Sequence, residues 1–222
     1  MKHQPTSFSL LFLIATMFAL VLVACKREIL THHSEMQDGS AAAINSSFVA
    51  NGNSPAAHIA ASENLTIPAT VAVPENLPNG NTRVATYFAV GVQKYKARIK
   101  AGSDPATYEW IFVAPQAELY EITNAKVGNH GAGPFWTTSV SDSIFAQQFS
   151  PPRTAPGGDP ESIDWLLLMP KVGTTPTGIF ADVDYIQRIA TKGGKAPLTP
   201  PASLTQTVDV KYKAVYRFTK IN

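Results

Sequence analysis

The spacing of apolar residues divides the 222-residue chain into three parts. Residues 8–24 are apolar and carry no charge. Residues 26–78 mix Ala, Ser, Asn, Thr and isolated charges with no sustained apolar period. Beyond residue 80 the apolar residues return with a period of two, which places alternate side chains on opposite faces of strands.

The first of these strands starts near Asn81. Val84, Thr86, Phe88, Val90 and Val92 alternate with Ala85, Tyr87, Ala89 and Gly91; then Tyr95, Ala97 and Ile99 carry the apolar side. The slip in phase predicts a bulge near residues 91–93, where one residue is left over. Residues 108–113 and 117–122 are short aromatic and β-branched runs around Ala114-Pro115-Gln116, read as a hairpin with Pro115 at its turn. Residues 143–149 form a further strand, bounded by Pro151-Pro152. Ile163, Trp165, Leu167 and Met169 alternate with Ser162, Asp164, Leu166 and Leu168, so this strand is apolar on much of both faces and is expected to be central.

Ile179, Ala181, Val183, Tyr185 and Gln187 are expected to face the core, leaving Asp182, Asp184 and Arg188 on the other side. In the last strand Val208, Val210, Tyr212, Ala214, Tyr216 and Phe218 alternate with Asp209, Lys211, Lys213, Val215, Arg217 and Thr219. One apolar and one charged face predict an antiparallel sheet with one side in water. No segment after residue 80 holds a helical period for more than about two turns, and no internal repeat is visible. The fold class is therefore all-β: a single antiparallel β-sandwich or partly closed β-barrel of about eight to ten strands over residues 79–222.

The N-terminal part changes the picture of where this domain works. A short polar start, the apolar run 8–24 and Leu22-Val23-Ala24-Cys25 form a secretory signal ending in a lipobox-like sequence, so residues 1–24 are expected to be removed and Cys25 to be lipidated. Cys25 is the only cysteine of the chain, so no disulfide is expected and an ordinary core must supply stability. Residues 25–78 read as a flexible tether, with a short helix near residues 40–44, because their composition cannot offset the entropy of ordering them. His32, His33 and His58 fall in it and are read as solvated. Lys26 after the cysteine suggests delivery to the outer membrane of a Gram-negative bacterium, facing the periplasm or the surface. A net charge of +2 argues against a nucleic-acid surface.

Candidate chemistry centres on Gly128-Asn129-His130-Gly131-Ala132-Gly133-Pro134-Phe135-Trp136. Its glycines suit a tight turn or a close approach to a ligand, His130 offers a hydrogen-bonding imidazole, and Trp136 a stacking surface. The plainer reading is a turn with His130 capping a strand and Trp136 in the core. Gln93, at the expected bulge, and Gln187, on the expected inner face, are amides that would need partners if buried. Arg188 is expected near Asp182 and Asp184 as a solvated ion pair. Those two aspartates lie about 7 Å apart by strand rise, between the separations of retaining and inverting glycosidases, but on one strand rather than flanking a bond. One histidine without a second nitrogen or sulfur ligand does not make a zinc site, and no cofactor is expected.

Several of these pieces resemble the secreted domain-of-unknown-function family 3455: Gly91-Val92-Gln93-Lys94-Tyr95, Trp110-Ile111-Phe112-Val113-Ala114-Pro115, Ala117-Glu118-Leu119, the stretch 128–136, Trp165-Leu166-Leu167-Leu168, Tyr185-Ile186-Gln187-Arg188 with Thr191-Lys192-Gly193-Gly194-Lys195-Ala196-Pro197, and Tyr212-Lys213-Ala214-Val215-Tyr216-Arg217-Phe218. The resemblance runs from about residue 80 to the C-terminus. It implies export and one compact domain, and supplies no activity. Many members carry two cysteines where this chain has Ala97 and residues 198–203, and an uncharged residue where it has Asp164. The expectation is a lipid-anchored envelope protein that binds a carbohydrate or other envelope polymer through residues 130–136, Gln93, Gln187 and Arg188. A glycoside hydrolase using Asp182 or Asp184, or a structural envelope protein, are the alternatives.

Overall fold

The computed structural model describes residues 54–103 and 107–222. Eight strands follow one another in space in chain order: β1 (Asn81–Ile99), β2 (Tyr108–Tyr120), β3 (Lys126–Gly131), β4 (Phe135–Thr137), β5 (Ser143–Ala155), β6 (Trp165–Pro170), β7 (Tyr185–Gly193) and β8 (Thr207–Ile221). All neighbours are antiparallel, and β8 pairs back onto β1, so the sheet closes into a barrel without an edge. Of the two architectures expected, the chain takes the barrel. Its wall is uneven, because β1 runs for 19 residues and β4 for three.

The two ends of the barrel differ. At one end lie the connections 121–125, 138–142 and 171–184; the last of these makes a 3₁₀ turn (Gly178–Phe180) and folds beneath the strands. Phe180 and Val183 from this connection join Tyr87, Leu119, Ile186 and Phe218 in a packed core, with the Phe180 and Phe218 ring centroids 4.8 Å apart. This is the closed end. The described ends of the β1–β2 connection, at 100–103 and 107, and the connections at 132–134, 156–164 and 194–206 surround the other end, the mouth.

Residues 54–78 cover part of the outside. Helix α1 (Pro55–Glu63) begins with Ser54 Oγ accepting the Ala57 N–H and with Pro55 in its first turn. Ile59 packs on Phe88, Ile189 and Val215 of the outer face, and the His58 ring stacks on Phe88 at 4.3 Å. Further on, fully buried Val71 packs with Ala155 and Leu167. Polar ties hold the same segment: Gln187 Nε2 donates to Val71 O (2.8 Å), Arg153 Nε to Thr70 O (3.0 Å), and Arg217 Nη2 to Ser62 O (2.8 Å) and to Glu63 Oε2 (3.0 Å). The expected tether is therefore part of the domain from Ser54 onward. The expected signal segment 1–24, Cys25, His32, His33 and the expected short helix near 40–44 lie outside the described residues.

This outer cover explains where the alternation misleads. In β1, Tyr87, Ala89, Gly91, Gln93, Tyr95 and Ala97 belong to one inward row with no bulge at 91–93; Phe88 and Val90 are apolar because they receive α1. The leftover residue is on β2, where the register with β1 shifts between Lys94 and Tyr95 and skips Val113. Nor does Pro115 make a turn. It sits within β2 opposite Gln93, beyond the last β3 pairing at Ala117, where its missing N–H costs no ladder bond to β3. Pro151-Pro152 does not end β5 either: residues 149–152 bulge out between Gln148, opposite Leu168, and Arg153, opposite Leu167.

The largest correction concerns β7. Residues 179–184 are not strand but the turn that seals the closed end, so the alternation counted from Ile179 has the wrong phase. Ile186 joins the interior core and Arg188 faces the cavity inside the barrel, whereas Gln187 faces out under Val71. In β8 the expected wet face holds only for the first half, at Asp209 and Lys211; Val215 and Arg217 are buried beneath α1. β6 is covered on both faces as expected, Leu168 inward and Leu167 outward against Val71.

Candidate ligand cavity

Above the packed core, toward the mouth, the barrel encloses a cavity of about 570 Å³. Phe112, Val113 and Pro115 of β2, Pro134 of the β3–β4 turn, Ile163, and Leu166 and Leu168 of β6 give it apolar walls. Gln93, Tyr95, His130, Trp136, Gln148, Thr154, Arg188 and Tyr216 supply polar atoms, and Lys195 and Asp164 stand at the mouth end.

The stretch 128–136 forms the β3–β4 hairpin. Gly133 has φ +134°, a conformation closed to most side chains, and an added Cβ would come within 3.1 Å of the Phe145 ring. The short turn brings His130 opposite Trp136 in register. Their rings stack at 4.5 Å and 10°, and Tyr216 leans on both, at 4.9 Å from His130 and 5.1 Å from Trp136. Trp136 is fully buried. With His130 on it and Tyr216 and Phe218 edge-on, the indole is no open platform for a sugar ring.

His130 Nδ1 lies 2.8 Å from Phe135 O. A carbonyl only accepts, so the proton is on Nδ1 and Nε2 is an acceptor without a protein partner. Burial, with Arg188 adding to it, pushes the imidazole down to about 3 against the opposing pull of that carbonyl, so the ring is neutral at ordinary pH. On the opposite wall Tyr95 OH donates to Gly194 O (2.7 Å). Gly194, at φ +93°, leaves room there; a Cβ would meet Tyr212 Cβ at 2.9 Å and Gln93 Cγ at 3.1 Å.

Arg188 is fixed by its neighbour across β6: Nε and Nη2 both donate to Asp164 O, at 3.0 and 2.8 Å. It makes no ion pair among the described residues; the expected pairing with Asp182 or Asp184 is absent because those lie at the closed end. Asp184 Oδ2 there accepts the Ile221 N–H (2.8 Å) and Asp182 is exposed. Around Arg188, Gln93 Nε2, Trp136 Nε1 and the Tyr212 and Tyr216 hydroxyls are buried without a hydrogen-bond partner. The two hydroxyls, the Gln93 amide and Arg188 adjoin closely enough to influence one another, but none reaches hydrogen-bond geometry. Burial raises both tyrosines, so they stay neutral and can donate. Three similar atoms, His58 Nε2, Trp165 Nε1 and Arg217 Nε, belong to residues of the outer face or its cover.

Four of the five residues singled out in the sequence, His130, Trp136, Gln93 and Arg188, thus meet around one cavity, and Gln187 does not. Tyr95, Tyr212 and Tyr216 were read only as apolar positions; their i, i+4 spacing on the inner row of β8 was the signal that two hydroxyls share one interior. Among the described residues no group of three His, Cys, Asp or Glu gathers to hold a metal.

No curated protein and no solved structure gives a significant match to the chain. One family profile does, that of the "Protein of unknown function (DUF3455)", over residues 78–220. This span covers all of the barrel but Ile221, the last residue of β8, and every residue of the cavity wall, and the chain belongs to that family.

Proposed function

We propose that this protein is a binding protein of the cell envelope whose barrel takes a small ligand, or the end of a larger one, through the mouth. The observation that carries the reading is the cavity itself: about 570 Å³, within the range of about 300–1,000 Å³ typical of small-molecule sites, with several buried donors left unpaired in its wall. A buried donor without a partner costs about 1–3 kcal/mol, so a ligand that supplies acceptors gains that much at each one it reaches. A blind cavity admits a carbohydrate or envelope polymer only by a terminus or a short piece. The hydrolase alternative draws no support from this cavity, since Asp182 and Asp184 line a separate depression at the other end of the barrel.

The proposal includes export and a lipid on Cys25, supported by the uncharged run 8–24 that ends at the only cysteine. Labelling with a fatty acid that is lost in Cys25→Ser tests that half. For the cavity, Leu166→Trp places a bulky ring in the wall, and a neutral solvatochromic dye such as Nile red is the probe. Binding by the full chain that disappears in Leu166→Trp, with the unfolding midpoint retained, is the expected result. A dye that binds both equally, or neither, favours a structural envelope protein without an internal ligand.

A further inference from the structure

The geometry points to an anionic amphiphile as the ligand of this cavity: a carboxylate-type head group seated at Arg188, with an alkyl or aromatic body along the apolar walls. This rests on the ligand-binding reading above and narrows it to a chemical class.

The first support is the unmatched cation. Arg188 projects from β7 into the barrel, and among the described residues its hydrogen bonds go to a neutral backbone carbonyl, that of Asp164. Those two bonds use Nε and Nη2 and hold the guanidinium plane still, leaving Nη1 unbonded. A guanidinium carries a positive charge whose planar fork favours a carboxylate or similar anion, and Arg188 is partly buried. Lys195 adds a second positive charge near the mouth and Asp164 a negative one, so the lining is cationic by one charge.

The second support is independent of charge. Gln93 Nε2, Trp136 Nε1 and the hydroxyls of Tyr212 and Tyr216 are buried and unpaired, each of these four atoms can donate, and three of the residues line the cavity directly. The acceptor whose tautomer the structure fixes is His130 Nε2. Unpaired groups that can donate, set beside a guanidinium, match a group rich in lone pairs, and a carboxylate is acceptor-only. The remaining walls are chiefly apolar, with Phe112, Val113, Pro115, Leu166 and Leu168 beside the polar Gln148 and Thr154, and favour a largely apolar body.

The test uses the full chain with Nile red bound and three competitors of equal length below their micellar concentrations: decanoate, 1-decanol and decylamine. Decanoate should displace the dye at a concentration at least tenfold lower than decanol, and decylamine should be the weakest. In Arg188→Gln the preference for decanoate over decanol should fall to about twofold while decanol itself competes as before; decanol thereby serves as the control for an intact cavity. Arg188→Lys, which keeps the charge and loses the planar fork, should retain part of the preference. If decanol equals or exceeds decanoate in the wild type, or Arg188→Gln weakens both alike, the anionic assignment is wrong although the cavity still binds ligands. If neither the dye nor any competitor binds, the binding reading fails and takes this one with it.

Discussion

His130 should make the barrel lose stability as the pH falls, well before most carboxylates titrate. Its imidazole is held near 3 in the folded protein, against 6.5 for the ordinary group. Below pH 6.5 the unfolded chain therefore binds a proton that the folded chain does not, and stability falls with falling pH down to the folded value. The loss approaches 1.4 kcal/mol per pH unit in the middle of that window, and from pH 7 to pH 4.5 it sums to about 2.5 kcal/mol for this one residue. Burial also lowers His58, which adds an effect of the same sign, so the wild-type curve alone does not isolate His130. The assay is urea unfolding at intervals between pH 7 and 4.5 for wild type and His130→Gln. The glutamine variant starts less stable, having lost the stack on Trp136, but its curve should be flatter by about 2.5 kcal/mol over that range. Parallel curves would show that the imidazole is not held neutral by its surroundings, and the fixed Nδ1–H tautomer would fall with it.

Two further outcomes test the outer face. Val71→Ala removes two buried carbons from between Ala155 and Leu167 and should cost about 2 kcal/mol in chemical denaturation, at about 0.8 kcal/mol per buried carbon plus a cavity term; no change would return residues 64–78 to the tether. Gln187→Met leaves Val71 O without its donor and should cost about 1–2 kcal/mol of stability while leaving dye binding untouched, whereas a loss of binding at unchanged stability would put Gln187 back among the site residues.

How far the sequence discloses this molecule depends on how each strand is covered. β8 is legible because its inner row, Tyr212, Ala214, Tyr216 and Phe218, is apolar and its outer row begins with Asp209 and Lys211. β1 is not, since Phe88 and Val90 serve α1 while Tyr87 and Ala89 serve the barrel, and two apolar rows look like one row that slips. Residues 54–78 contribute few buried apolar side chains, among them Ile59 and Val71, too widely spaced to form a period, so a segment that binds through isolated contacts reads as tether. In β7 one misplaced boundary exchanges the faces of Gln187 and Arg188, because a shift of one residue turns every side chain over. The site was legible where special residues cluster, at 128–136, and illegible where its members look like ordinary core. Tyr212 and Tyr216 count as apolar in any pattern, and only the three-dimensional wall shows that their hydroxyls are unpaired.

The direction of chain entry follows from α1. Its first turn is tied to the closed end, where the Ala56 N–H donates to Asn124 Oδ1 in the β2–β3 connection. The polypeptide thus joins the barrel as a stem joins the base of a cup. Ser54, where the described chain begins, thus stands toward the pole opposite the mouth, and on the proposed function entry of a ligand and anchoring of the chain are separate demands on separate faces.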